Sequence, residues 1–283
     1  ILIGANGGAQ IAYNKIGAGP GVIVYGPIAA SGVDIHDNTF TSELAVGTVY
    51  ADGSTGRVQV RHNTIGNAGG DTVIAAVLAG GGVGRTTFVD NTLTGVTVGA
   101  LVAGVPTTAG LDITGNEFGD TKLGLLSLST SDMTVVDNII GGTIGVLALG
   151  DGTSAYGNNE FRGNTFSSDI GLFVVAEQDD VIADNTFTDS GKLAAGLVLL
   201  ADSSFTGNHV NTDVGVFSLG QNLPAYGNNE FNDNQFDGDI GLFVVGENGD
   251  DVIGNTFTGP GRSTSDADRP GPVKRSEEHT SEL

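Results

Sequence analysis

Three residues near the start of the chain have side chains suited to proton transfer beside an anion: His36, Arg61 and His62. An imidazole can give or take a proton near neutral pH, and a guanidinium can hold a carboxylate. On one face of a folded chain such a group would bind a uronate and act as general base, so these three are the candidate catalytic residues. A second chemistry is suggested by acids. Glu177, Asp179 and Asp180 return as Glu247, Asp250 and Asp251. Clustered carboxylates on a turn are hard-oxygen ligands, and these six are the candidate Ca2+ ligands, with Ca2+ the one cofactor suggested. Other chemistries lack their signatures. There is no G-x-S-x-G elbow and no G-x-x-x-x-G-K-[ST] loop. With no Cys, thiol nucleophiles, Cys-ligated zinc and disulfides are excluded.

The elements that must position these residues are written in a repeat. A phrase of the form apolar, any, [Asp/Gly/His], Asn, any, apolar recurs as IHDNTF at Asn38, VRHNTI at Asn63, FVDNTL at Asn91 and ITGNEF at Asn116. It continues at Asn138, Asn164, Asn185, Asn208, Asn234 and Asn255, with a mean step of about 24 residues. On top of it lies a longer duplication. The stretch beginning AYGNNEF at Ala155 returns from Ala225, an offset of 70 residues, or three short repeats.

Each unit holds the Asn phrase and a Gly-led apolar stretch such as IGLFVVA from Ile170, separated by Gly, Asp, Ser and Thr. These are strands joined by turn formers, and no stretch sustains a helical apolar period. Short strands repeated at this length predict an all-β, single-stranded right-handed parallel β-helix of about eleven coils, a rod on the order of 50 Å long. The residues three before and two after each Asn are apolar throughout, so both are expected to face inward as stacked columns. The residue before Asn suits a bend in the left-handed region, and the Asn side chains should stack and satisfy the bend backbone. His36 and Arg61 take the same place in adjacent coils, which puts them about 5 Å apart, on the outer surface.

The Gly-led strand is apolar on both faces. With Phe173, Val175, Phe217 and Leu219 assigned inward, the other set becomes an outer stripe: Leu125, Val146, Leu172, Leu197, Val216 and Leu242. Such a stripe would contact a partner or a second copy of the chain.

The N-T-F and G-[LV]-x-[VL] phrasing over roughly residues 20–259 resembles the right-handed parallel β-helix repeat family, which includes pectate-lyase-like proteins. That resemblance implies the fold. For activity it implies only a range, from lyases, hydrolases and epimerases to non-enzymatic surface proteins.

Composition narrows the partners. Of 283 residues, 33 are acidic and 11 basic, for a net charge of −22. A polyanion repels phosphate backbones, which excludes nucleic acid, and no apolar run is long enough to span a membrane as a helix. Acids with so few bases suit a very salty or an extracellular setting. The domain is expected to cover residues 1–259, with 260–283 a disordered polar tail and 275–283 (RSEEHTSEL) a non-native addition. Both rod ends read as open strand edges, as in a fragment of a longer protein. The expected function is a non-catalytic extracellular or cell-surface module: a stalk, adhesin or surface-layer segment. The alternative is a polysaccharide-active lyase or epimerase, whose single site would lie among extra loops near Asn63 and Asn91.

Overall fold

A computed structural model describes residues 1–258 and 264–265, apart from 5–7, 18, 51–54, 67–71, 81–85, 105–109, 152–156, 189–191 and 222–225. The expected loops near Asn63 and Asn91, and the 275–283 segment, lie outside the described residues. Among the described residues all regular structure is β, and every strand pairing is parallel.

The chain winds as a right-handed parallel β-helix. Each coil gives one strand to an eleven-stranded sheet, turns at the Asn bend, and gives its remaining strands to a larger sheet of 21. The register advances one coil at a time without slips: Ile35 sits on Val60, Val60 on Phe88, Phe88 on Ile113 and Ile113 on Val135. One short pairing, Thr264–Ser265 on Phe243–Val244, lies beyond residue 259.

The two apolar columns flanking the Asn face inward. Phe40, Ile65, Leu93, Phe118, Ile140, Phe166, Phe187, Val210 and Phe236 are buried, as are Ile35, Val60, Phe88, Ile113, Val135, Phe161, Ile182, Phe205 and Phe231. The columns open at the two ends, where Ile16 in the first copy is partly buried and Val252 in the last is exposed. Rings stack along the column: Phe166 and Phe187 have centroids 4.8 Å apart at 9°. Such pairs add to the burial energy itself.

The bend residue is left-handed in all ten copies. Asp37, His62, Asp90, Asp137, Asp184 and Asp233 have φ between 52° and 55°, and Gly115, Gly163, Gly207 and Gly254 between 64° and 70°. From Asp90 onward, Asp and Gly alternate. The reason is space and charge. A Cβ on Gly163 would lie 2.5 Å from Asp137 Oδ1, so the carboxylate of one coil fills the room above the glycine of the next. Two carboxylates stacked in adjacent coils would repel each other at about 5 Å.

The Asn side chains form an unbroken file. In each coil the backbone N–H and Nδ2 of one Asn donate to Oδ1 of the next, from Asn14 through Asn38 and Asn63 at one end to Asn234 and Asn255 at the other. Nδ2 also donates to a carbonyl of the neighbouring coil, as Asn138 does to Ile113 at 2.9 Å. Asn14 belongs to this file although its bend residue is Tyr13, with φ 61°.

The Gly-led strand corrects the expected outer stripe. Leu125, Val146, Leu172, Leu197, Val216 and Leu242 are all buried in the core. The outward residues are the neighbours assigned inward: Phe173, Val175, Phe217 and Leu219 are half-exposed. The cause is the glycine. Strict alternation breaks there, so that Gly171 and Leu172 both lie inside. A Cβ on Gly171 would come within 2.6 Å of both the Phe187 ring and the Ala194 carbonyl oxygen, so only glycine lets the strand press against the next coil. A contact surface made of the six named residues therefore does not exist.

Candidate functional site

His36 and Arg61 are register partners in adjacent coils, as their shared position requires. Their surroundings differ from a free cationic face. Arg61 is held by Asp34, with Nε donating to Oδ1 at 3.2 Å and Nη2 to Oδ2 at 2.8 Å. This bidentate bond, opposed by partial burial, raises the guanidinium pKa further above its ordinary value. His36 is not on the outer surface as expected but 5% exposed. Tyr13 packs edge-on against its ring at 5.7 Å, and this covers it. Its Nδ1 lies 2.7 Å from Asp37 Oδ2 and its Nε2 2.6 Å from Gln10 Nε2. With Nδ1–H donating to Asp37, Nε2 is left to accept from Gln10. The same hydrogen bond holds the Asp37 carboxyl below its ordinary range. His62 occupies the left-handed bend, 3.4 Å from Asp90 and 3.3 Å from Arg61 Nη1. Arg61 touches His62 directly and shares Asp34 with His36, whose Nε2 lies 3.9 Å from Asp34 Oδ2. Each, however, is already engaged by the protein, and a substrate carboxylate would have to displace Asp34 from Arg61.

Four of the acids expected to ligate Ca2+, Glu177, Asp180, Glu247 and Asp250, lie at a second corner of the coil. This corner repeats the logic of the Asn bend. Asp132, Asn158, Asp179, Asp202 and Asn228 have φ between 52° and 57°, and each is followed by a buried residue. The side chains of those following residues form a second file. The backbone N–H of Met133 donates to Asn159 Oδ1 at 3.1 Å, that of Asn159 to Asp180 Oδ1 at 2.9 Å and that of Asp180 to Ser203 Oγ at 3.1 Å. Ser203 then donates to Asn229 Oδ1, and Asn229 to Asp250 Oδ1. Asp179 is the bend residue and Asp180 the file residue, while Glu177 folds in beneath them. Asp251 and Asp179 are exposed, away from this interior. Among the described residues no three His, Cys, Asp or Glu side chains converge as ligands for a metal ion. The doublets that write this corner, Asn158–Asn159, Asp179–Asp180, Asp202–Ser203 and Asn228–Asn229, were visible in the sequence but share no single residue type.

The family described as "Periplasmic copper-binding protein (NosD)" matches residues 84–270, more than half of the chain. The chain belongs to the NosD family. A search of the curated proteins finds no match. Among solved structures, the Dettilon tailspike protein (gp208) matches at 14% identity and a TM-score of 0.37, over 88% of this chain and 60% of that one.

Copper, which the NosD description names, does not suit the donors present. Copper sites draw on imidazole, thiolate and thioether. This chain has no Cys and one Met, and the single His within residues 84–270 is His209. Met133 is buried in the core, and His209 faces Asp237 at 3.8 Å. When the chain is titrated with Cu(I) against a chromogenic chelator, copper should stay with the chelator. A stoichiometric transfer of colour to the protein would reveal a site that these residues do not build.

Proposed function

We propose that this NosD-family chain is a non-catalytic β-helix module of the cell envelope or cell surface, a stalk, adhesin or surface-layer segment that carries load or spacing rather than chemistry. One observation carries the reading: the Asn file runs from Asn14 to Asn255 with the same hydrogen bonds in every coil. A rod so uniform resists bending and shear, because the Asn corner of each coil is tied to the next, by buried amides from Asn38 to Asn234. The periplasmic description of the NosD family supports an envelope location.

The enzyme reading keeps one supporting observation: Arg61 stands beside His62 and, in register with His36, shares Asp34 with it. It is weakened by the pairing of Arg61 with Asp34 and the burial of His36. The experiment is a panel of acidic polysaccharides, pectate, alginate and glycosaminoglycans, incubated with the chain with and without Ca2+ while the absorbance of unsaturated uronates is followed. No rise is expected. A rise that disappears in Arg61→Ala would replace the structural module with a lyase.

A further inference from the structure

The second file contains carboxyls where the first contains only amides, and the difference has a chemical consequence. Asn159 shows what the position needs. Its Oδ1 accepts from the preceding coil, and its Nδ2 donates to Glu177 Oε2 at 3.0 Å. In the next coil Asp180 takes the place of that amide, so an oxygen, Oδ2, stands where an NH2 would. Glu177 is 0% exposed and Asp180 1%. Among the described residues Glu177 Oε1 and Asp180 Oδ2 find no donor, and Asn159 gathers the two carboxyls, its backbone N–H donating to Asp180 Oδ1 and its Nδ2 to Glu177 Oε2. Two carboxylates cannot bond without a proton between them.

No cation offsets the pair. Facing it are Asn159 on the coil before and Ser203 on the coil after, while the exposed neighbour Asp179 adds negative charge from the same bend. Among the described residues no Lys, Arg or His is ion-paired with either carboxyl. The duplication copies the arrangement. Glu247 accepts from Ser218 Oγ at 2.7 Å and from Asn229 Nδ2 at 3.3 Å, beside Asp250 in the file.

We propose that Glu177 and Asp180 are held together by one shared proton at neutral pH, that Glu247 and Asp250 repeat the device, and that the C-terminal half of the rod therefore tightens in acid and loosens in alkali. Burial, then repulsion from Asp180, pushes Glu177 up to about 9, and burial pushes Asp180 up to about 6. Glu247, half-buried, is pushed up to about 8 by the same causes. The sign follows. Groups raised in the folded state contribute their stability fully below the ordinary carboxylate range and lose it as pH climbs through about 6 to 9.

The test is thermal melting of the full chain between about pH 5 and 9, in EDTA and in millimolar Ca2+. Asp180→Asn and Glu177→Gln each supply a permanent N–H in place of the proton. Wild type should lose melting temperature toward alkaline pH more steeply than either variant. At pH 8 Asp180→Asn should melt about 2–4 °C above wild type, an advantage gone at pH 5. An infrared band of a buried protonated carboxyl at pH 7 should be present in wild type and diminished in both variants. Because the whole polyanion also repels itself at high pH, the comparison rests on the difference between wild type and variant. Parallel pH slopes in all three proteins would overturn the proposal. So would a Ca2+-dependent rise in the wild-type melting temperature that Asp180→Asn abolishes, since a cation rather than a proton would then neutralise the pair.

Discussion

Asn138→Ala is expected to destabilise the rod by about 3–6 kcal/mol. Asn138 is buried at mid-rod, and its side chain serves both neighbours. Oδ1 accepts from the backbone N–H of Asn116 at 2.9 Å and from its Nδ2 at 3.0 Å. Nδ2 donates to the carbonyls of Ile113 and Val136 and to Asn164 Oδ1, all at 2.9–3.0 Å. Alanine leaves a buried backbone N–H and two side-chain amides short of partners, and each such group costs about 1–3 kcal/mol. At Asn255, on the open last coil, the same substitution should cost about 1 kcal/mol, because water replaces part of what is lost. Denaturant midpoints of the two variants measure the difference. Equal losses at Asn138 and Asn255 would mean that the file is not what holds the coils.

The contrast with the second corner explains why Asp is absent from the first. At Asn138 the Nδ2 position faces three oxygens, so an aspartate there would set a buried charge among acceptors. At Asp180 the opposing group is a carboxyl that can share a proton. The two files thus obey one rule, that every inward oxygen must meet a donor, and satisfy it by different chemistry.

The fold was legible because its repeat is written in residue types that only one geometry serves. Asn followed two residues later by an apolar side chain, and preceded by a residue tolerant of positive φ, specifies a bend with a buried amide. The copy at Asn14 escaped because Tyr13 stands at the bend, although Ile11 and Ile16 keep the apolar positions. The second corner escaped for a deeper reason. Asn, Asp and Ser can each present an oxygen to the same backbone N–H, so the position is fixed by hydrogen-bond geometry and not by residue identity. Its acids therefore looked like solvated charge or cation ligands. The register of His36 and Arg61 was legible from the repeat. Their pairing was not, since Asp34 and Gln10 lie outside the repeated phrase and their reach depends on side-chain rotamers.

The Gly-led strand yields the second large effect, and one that decides between opposite readings of the same six residues. Leu172→Ala should cost about 2–5 kcal/mol, whereas Phe173→Ala, which removes the larger side chain, should cost about 1 kcal/mol. Leu172 is fully buried in the column that includes Val146 and Ala195, so its truncation opens a cavity between three coils. Phe173 stands on the outer face, half-exposed, its ring lying over Gly196 of the next coil, so its truncation opens no closed cavity. Alternation counted along a regular strand gives the reverse order, with the phenylalanine inside. The order depends on the kink at Gly171, where two consecutive residues turn inward together. Urea unfolding of the two variants measures it. A greater loss from Phe173→Ala would put the aromatic side chains back in the core and return Leu172 to the surface.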